Sequence, residues 1–267
     1  MRTIPDTFDP AAVAAIDARL AGVAAEHGVR VPWAIESGSR AWGFASPDSD
    51  YDCRFLFVRP VSAYLALWPA RDVIETPLDA VLDVNGWDLA KAVRLATAGN
   101  ATVGEWLRSP LVYDGDSAFR DDLLALVADV ADPAAVRRHY AHVARAQWDH
   151  AVDGDDVRLK RVFYAVRPAL TLRWLDEHTG VPPMALDALL AEVGVPAEVG
   201  EELAALRDLK ARTREIGTAA VPRAIAAWVR DVLAGEEDGV GPPDPARRER
   251  AEAGFRALLE RWAPDAG

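Results

Sequence analysis

The spacing of hydrophobic and polar positions changes along the first 90 residues of the chain. Residues 10–27 carry apolar side chains at helical spacing and Gly28 follows as a stop signal, which predicts a first helix. Two later segments are short, rich in β-branched and aromatic residues and bounded by Gly, Ser and Pro, as strands usually are, and two more follow the same pattern. The four predicted strands are VRVPWAIES (29–37), YDCRFLFVRP (51–60), RDVIET (71–76) and DAVLDVNGW (79–87).

Helical spacing returns at Asp88 and continues to the end of the chain. Asp88 is a candidate N-cap for the segment DLAKAVRLATAGN, which Gly99 and Asn100 would end. A charged, Pro-rich stretch, residues 235–252, is typical of a surface loop that leads into a last helix. Five further segments carry a helical apolar stripe between Pro or Gly residues, namely 117–130, 133–152, 156–178, 199–217 and 221–235.

Strands therefore come early in the chain and helices come late. This order predicts the α+β fold class, with a small mixed sheet and flanking helices in an N-terminal domain and an all-helical domain after it. We expect the boundary near Pro110 to Asp116, which gives domains over residues 1–112 and 113–267.

Composition limits the classes of partner. With 42 acidic and 30 basic residues, the net charge of −12 offers no broad attraction for a phosphate backbone, so nonspecific nucleic-acid binding is not expected. The N-terminus lacks the pattern of an export signal, and no stretch reaches the ~18 uninterrupted apolar residues of a membrane span. The single cysteine, Cys53, cannot form an internal disulfide. These features favour a cytoplasmic protein that does not enter membranes.

Two carboxylates, Asp50 and Asp52, lie at the start of the apolar strand that begins at Tyr51. Side chains alternate along a strand, so the two carboxylates share one face, roughly 6 to 7 Å apart, and Tyr51 points to the other face. Like charges repel unless a cation lies between them, and Mg²⁺ prefers such oxygen ligands. Alternatively, SPDSD is only a polar turn, which would account for Asp50 but not for Asp52. Arg54 shares their strand face and could serve the same site.

Ten residues separate a Gly-Ser pair from Asp50. Gly38 lets backbone approach a phosphate closely, and Ser39 offers a hydroxyl beside successive N–H groups that can form an anion-binding nest. Gly-Ser alone is weak evidence. Gly-Ser, a short helical segment and then Asp-x-Asp leading into a hydrophobic strand is a much more specific combination.

This combination resembles a known signature. GSRAWG (38–43) followed by SDYD (49–52) resembles the nucleotidyltransferase motif of the DNA polymerase beta superfamily. The longer stretch ESGSRAWGFASPDSDYD, together with NGWDLAKAV and FYAVRPALTLRW, is similar to the branch called RlaP, whose members are predicted RNA-repair-associated nucleotidyltransferases. The resemblance covers most of residues 33–190 and implies a nucleotidyltransferase fold for the N-terminal domain.

The resemblance also implies a third carboxylate on a later strand. Asp83, flanked by apolar residues in AVLDVNGW, projects to the face opposite its neighbours and can join Asp50 and Asp52 if the strands are adjacent. Glu75 is the competitor, but Pro77 indicates that its strand is about to end at a sheet edge. Asp88 has a structural role available as an N-cap.

In the helical part, Lys160, Tyr164, Arg167 and Thr171 recur at spacings of four, three and four residues, so they share one helix face. One interpretation is that two cations flanking an aromatic ring contact a triphosphate and a base. The other is a salt-bridged face, paired with the acids at positions 153, 155 and 156. The sequence leaves both interpretations open.

The chemistry implied by the resemblance is metal-assisted transfer of a nucleoside monophosphate from a nucleoside triphosphate to an acceptor hydroxyl. It implies two Mg²⁺ ions, with Mn²⁺ as the alternative, held by Asp50, Asp52 and Asp83. The acceptor expected from the family is an RNA end, and a protein (AMPylation, antitoxin-like) or a small molecule is the alternative. A noncatalytic nucleotide-binding partner protein is the alternative from another class. The expected nucleotide-binding residues are Gly38, Ser39, Arg40, Ser49, Lys160, Tyr164 and Arg167.

Overall fold

The computed structural model describes residues 1–79, 81–152, 159–212, 221–236 and 244–265. The strands are β1 (Arg30–Glu36), β2 (Tyr51–Val58), β3 (Val73–Glu75), β4 (Leu82–Asp88) and β5 (Val112–Gly115). The helices are α1 (Pro10–His27), α2 (Gly38–Trp42), α3 (Val61–Tyr64), α4 (Leu89–Thr97), α5 (Thr102–Leu107), α6 (Ser117–Val130), α7 (Pro133–Val152), α8 (Leu159–Glu177), α9 (Leu186–Glu192), α10 (Ala197–Arg212), α11 (Arg223–Ala234) and α12 (Pro245–Trp262).

The strands form one five-stranded mixed sheet in the order β3-β4-β2-β1-β5. Only β2 and β4 run parallel, and the other neighbours are antiparallel. The β2–β4 register places Asp52 directly beside Asp83. The predicted α+β fold class, with an early sheet and a late helical region, is confirmed.

The sheet is covered on both faces because β2 is apolar on both. Phe55 and Phe57 enter the cluster beneath α1, and Leu56 and Val58 enter the cluster formed with α4, α6 and α12. Tyr51 lies on the α1 face, opposite Asp52, as strand alternation predicts. A strand segment buried on both sides reads as a continuous apolar run, which explains FLFV at residues 55–58.

Most elements begin and end near the positions that local signals indicate. The side chain of Asp9 caps α1, and Gly28 ends it with a φ of 59°. The Asp88 carboxylate accepts the backbone N–H of Ala90 at 2.7 Å, so Asp88 is the N-cap of α4 as predicted. β3 lies at the edge of the sheet, as Pro77 indicated. The sequence analysis did not anticipate β5, α3, α5 or α9, which are all short.

The expected domain boundary, between residues 112 and 113, falls inside β5. Beyond β5, α6 and α12 pack against the sheet, whereas α7 to α11 share a separate apolar cluster. Whether the two parts behave as independent domains stays a prediction. Within the described residues, no helix combines the length and the apolar character of a membrane span.

A buried ion pair connects the two clusters. The side chain of Arg167 on α8 is 5% exposed, and its Nη1 donates to Glu105 Oε1 on α5 at 2.9 Å. Its Nε donates to the carbonyl of Met184 at 2.8 Å, and its guanidinium lies 4.8 Å from the ring centre of Trp42. Arg167 therefore bonds to groups inside the protein. Neither interpretation of the sequence, a triphosphate or the acids at positions 153, 155 and 156, predicted these partners. Those acids lie outside the described residues.

We predict that Arg167→Ala lowers the free energy of unfolding by about 3–5 kcal/mol, because it leaves Glu105 as a buried charge without its partner. Urea denaturation followed by circular dichroism would measure the loss. Arg173→Ala is the matched control on the same helix, since its ion pair with Asp176 is exposed and should contribute less than ~1 kcal/mol. A variant at Arg167 with wild-type stability but weaker triphosphate binding would contradict this role.

Candidate active site

The parallel pairing of β2 with β4 brings two of the predicted carboxylates together. Asp52 and Asp83 are direct neighbours in register, and Arg54 lies between them on the same face of the sheet. Arg54 Nη2 is 3.2 Å from Asp52 Oδ1 and 2.7 Å from Asp83 Oδ2. The two aspartate side chains are 30% and 37% exposed, so solvent-borne ligands can reach them.

The other two candidates for the third carboxylate have different partners. Glu75 is exposed at the edge of the sheet and pairs with Arg71 at 2.7 Å. Asp88 is buried, caps α4 and lies 3.3 Å from Arg59. Of the three, only Asp83 lies beside Asp52, which favours it as the third carboxylate of the site.

Asp50 is the last residue before β2, and its loop is held by Arg40. Arg40 Nε donates to the carbonyl of Asp50 at 3.1 Å, and its Nη2 donates to the carbonyl of Ser49. The guanidinium also lies 3.9 Å from the ring centre of Tyr51. These contacts hold the loop in its conformation, so Arg40 positions Asp50.

A group of serine hydroxyls fastens the same loop to α2. Ser39 Oγ donates to Ser49 Oγ at 3.1 Å, and the backbone N–H of Ser46 donates to Ser49 Oγ at 2.9 Å. Ser39 is buried. The predicted residues Ser39 and Ser49 are thus brought together, ten positions apart in the chain.

The turn at Gly38 lies directly against Asp52. Gly38 has a φ of 60°, which favours glycine, and a Cβ added there would lie 2.1 Å from Asp52 Oδ2. The backbone N–H of Ser37 donates to the carbonyl of Asp52 at 2.8 Å. Any larger residue at position 38 would displace the carboxylate, so the Gly-Ser turn and Asp52 form one unit.

Glu36 supports the unit formed by the Gly-Ser turn and Asp52, and the sequence analysis did not identify it. It is fully buried, and its Oε1 accepts the backbone N–H of Asp52 at 3.0 Å while its Oε2 accepts the hydroxyl of Tyr113 at 2.6 Å. Burial raises the pKa of Glu36 to about 7, against the lowering effect of these hydrogen bonds. The available signal was a carboxylate ending an apolar strand, just before Gly38.

The helical side contributes Tyr164. Burial raises the pKa of the Tyr164 hydroxyl, and the negative charges of Asp52 and Asp50 raise it further. Its ring packs edge-on against Trp42 with the centroids 5.1 Å apart. Arg161, one turn earlier on α8, offsets part of this shift, and the sequence analysis did not name it.

The remaining members of the α8 stripe differ in position. Lys160 lies in α8, but its side chain is outside the described part of the structure. Thr171 is buried and donates its hydroxyl to the carbonyl of Arg167 at 3.1 Å. The stripe is therefore not one surface: Tyr164 is half-buried against Trp42 of α2, while Arg167 and Thr171 are internal.

The fit to a metal ion differs between the carboxylates. Asp50 and Asp52 supply the hard oxygen ligands that Mg²⁺ and Mn²⁺ prefer. Both oxygens of Asp83 already accept hydrogen bonds, Oδ2 from Arg54 at 2.7 Å and Oδ1 from Asn85 Nδ2 at 3.0 Å. Among the described residues, no group of three or more acidic, His or Cys side chains is arranged to hold one ion. Asp52 Oδ1 also accepts Arg54 Nη2, at 3.2 Å, so Asp50 and Asp52 fit a divalent ion by their donor chemistry, and Arg54 lies beside both Asp52 and Asp83.

The shifted pKa of Glu36 predicts a pH dependence of stability. Because the folded state holds this proton more tightly than the unfolded state, the contribution is complete below pH ~4.5 and is lost as the pH rises through about 7. From pH 5 to 8 the wild-type free energy of unfolding should lose about 2–3 kcal/mol through this group, and Glu36→Gln should abolish that loss.

Urea denaturation of both proteins at several pH values, in EDTA, would test this. Glu75→Gln removes an exposed carboxylate and serves as the matched control, whose pH profile should parallel that of the wild type. Parallel profiles for wild type and Glu36→Gln would contradict the assignment of a raised pKa.

Comparison with known proteins identifies the family of the chain. The sequence matches RlaP, described as the RNA repair pathway DNA polymerase beta family, over residues 13–257. The uncharacterized protein YcgL of Bacillus subtilis (strain 168) is 38% identical over 190 residues, which cover 71% of this chain and 73% of that protein. The match to RlaP extends from the first helix into the last and includes every element of the candidate site. The chain therefore belongs to the RlaP family, within a superfamily of the nucleotidyltransferase type.

Proposed function

We propose that this protein is a metal-dependent nucleotidyltransferase that moves a nucleoside monophosphate from a nucleoside triphosphate to an acceptor hydroxyl. The observation that carries the proposal is the contact between Gly38 and Asp52, in which the turn expected to bind phosphate lies against a carboxylate expected to bind metal. Membership of the RlaP family supports the same activity. A turn that bound only an anion would be disfavoured by a carboxylate beside it, because like charges repel unless a cation lies between them.

The triphosphate is proposed to lie across the start of α2. The first N–H groups of a helix lack intrahelical acceptors, and Gly38 lets phosphate oxygens approach that backbone closely. Ser39 and Ser49 fix the surrounding loop through their hydroxyl contact. When bound, Mg²⁺ or Mn²⁺ supplies positive charge that offsets the charge developing on the phosphoryl oxygens. Asp50 and Asp52 are the residues that would hold it.

Tyr164 is proposed to contact the nucleotide, because its ring packs against Trp42 at the end of α2, the helix that begins at Gly38. Lys160 and Arg161, on the same end of α8, are the proposed phosphate-binding cations. Arg40 and Arg167 act instead as positioning residues, since each is engaged by protein groups.

Asp83 marks the side of the site where we propose that the acceptor hydroxyl binds. The family description names an RNA repair pathway, and an RNA end is accordingly the proposed acceptor. With a net charge of −12, the protein is expected to hold only the terminal nucleotides of such an RNA, so its affinity should depend only weakly on salt. A protein or small-molecule acceptor would be revealed by the same labelling experiment.

The test is incubation with each α-labelled nucleoside triphosphate and Mg²⁺, offering RNA, protein and metabolite pools as acceptors. Label should appear in one pool, and Asp50→Asn or Asp52→Asn should reduce transfer by at least ~10²-fold, because each change removes charge that holds the ion. Asp48→Asn is the matched control, since Asp48 is an exposed carboxylate in the same loop.

The control variant should transfer label at nearly the wild-type rate, and all variants should melt at similar temperatures without metal. Near-normal transfer by either Asp50→Asn or Asp52→Asn would contradict the proposed site. Absence of transfer to every pool by the wild-type protein, with all four nucleotides, would contradict the proposed activity.

A further inference from the structure

We infer that the outer edge of strand β3 is the surface through which two copies of this chain associate, in a symmetric dimer whose two-fold axis passes beside Val73. The inference does not depend on the proposed chemistry. Three observations support it: an uncovered strand edge, exposed apolar side chains on both sides of that strand, and two opposite charges placed evenly about Val73.

The β5 edge of the sheet is covered, whereas the β3 edge is open. At the β5 edge, the backbone N–H of Thr3 donates to the carbonyl of Val112 at 2.9 Å, and the N–H of Val112 donates to Thr3 Oγ1 at 2.7 Å. Within the described part of the chain, no segment pairs with the outer side of β3. An open edge presents N–H and C=O groups that can pair with another chain.

The backbone groups of Val73 and Glu75 are the ones that point outward. On the inner side, the N–H of Asp88 donates to the carbonyl of Asp72 at 3.0 Å. Bonded pairs recur at every second residue of an antiparallel ladder, so Val73 and Glu75 form the pairs with β4 whose N–H and C=O groups face away from it. These groups can bond to a strand added beside β3.

Exposed apolar side chains are concentrated on both sides of β3. Of the eight large hydrophobic side chains that are exposed in the described residues, six belong to the segment from 61 to 81. Four precede the strand and two follow it, namely Val61, Leu65, Leu67 and Trp68, and then Leu78 and Val81. Such a concentration marks an interaction site. In a two-fold contact about β3, the apolar side chains before the strand in one copy lie beside those after the strand in the other.

The charges about Val73 favour a second copy of this chain as the partner. Arg71 and Glu75 lie two positions before and two positions after Val73, and both are exposed, with their charged groups 2.7 Å apart in one copy. When Val73 lies opposite its own counterpart in an antiparallel pairing, each Arg71 lies opposite the Glu75 of the other copy. Two attractive cross-strand pairs result.

Two prolines limit the length of this pairing. Pro69 and Pro77 lie four positions before and four positions after Val73. Because proline has no N–H to donate, strand pairing between the copies is confined to the residues between the two prolines. A two-fold contact of this kind closes on itself, since each copy uses the same surface, and it gives a dimer and not a filament.

Charge reversal tests the inference, by sedimentation velocity of the full chain over a ~100-fold range of concentration, because a dimer dissociates on dilution. The wild type should approach the mass of a dimer at the highest concentration. Arg71→Glu and Glu75→Arg each place like charges opposite one another across the axis, so each should weaken the dimer by at least ~10-fold. An equal mixture of the two variants should associate like the wild type, because the charges across the axis are then opposite again.

Arg212→Glu is the matched control, since it reverses one charge of the exposed ion pair with Asp208 on α10 and should leave the dimer unchanged. Trp68→Ser should also weaken the dimer, and circular dichroism would show that each variant is folded. A wild type that stays monomeric, or a dimer that the single reversals do not weaken, would overturn the inference. So would a mixture that associates no better than its components.

If the charge variants do not fold, unchanged association of Trp68→Ser would overturn the inference by itself. Titration with single-stranded RNA separates the other partner class. A monomeric wild type that binds this RNA, with the binding lost in Trp68→Ser, would assign the surface to RNA and also overturn the inference.

Discussion

The parallel pairing of β2 with β4 is the constraint on which the rest of the site depends. It brings Asp52 and Asp83, which are 31 positions apart in the chain, to adjacent places on one sheet face. Because side chains alternate with a period of two, a slip of one residue in this register would turn Asp83 into the apolar cluster beneath α1. The apolar side chains of β2, buried on both faces, fix the register and so fix the distance between the carboxylates.

Arginine side chains give the site its shape from within. Arg40 holds the loop that carries Asp50, Arg54 bridges Asp52 and Asp83, and Arg167 joins the helical cluster to α5. Each of these guanidinium groups contacts protein acceptors. Because these cations are paired inside an acidic protein, they do not form a surface that binds a long nucleic acid. This is consistent with an acceptor bound only near the reacting hydroxyl.

Local patterns were sufficient to predict structural features that lie within one segment. Alternation along the strand placed Tyr51 on the face opposite Asp52, the turn residue Gly38 was recognised from its neighbours, and Asp88 was identified as an N-cap. The partner of Arg167 could not be predicted in this way, because Glu105 lies 62 positions earlier and meets it only after the two clusters pack. Similarly, nothing local to Glu36 indicates its bonds to Asp52 and Tyr113.

A crystal structure with Mn²⁺ and a non-hydrolysable nucleotide would test most directly whether the metal and the nucleotide bind where β2 and β4 begin. We predict an anomalous peak at ~2.0–2.3 Å from carboxylate oxygens of Asp50 and Asp52, with the triphosphate over Gly38. A nucleotide and metal bound elsewhere on the protein, away from Asp52, would contradict the account.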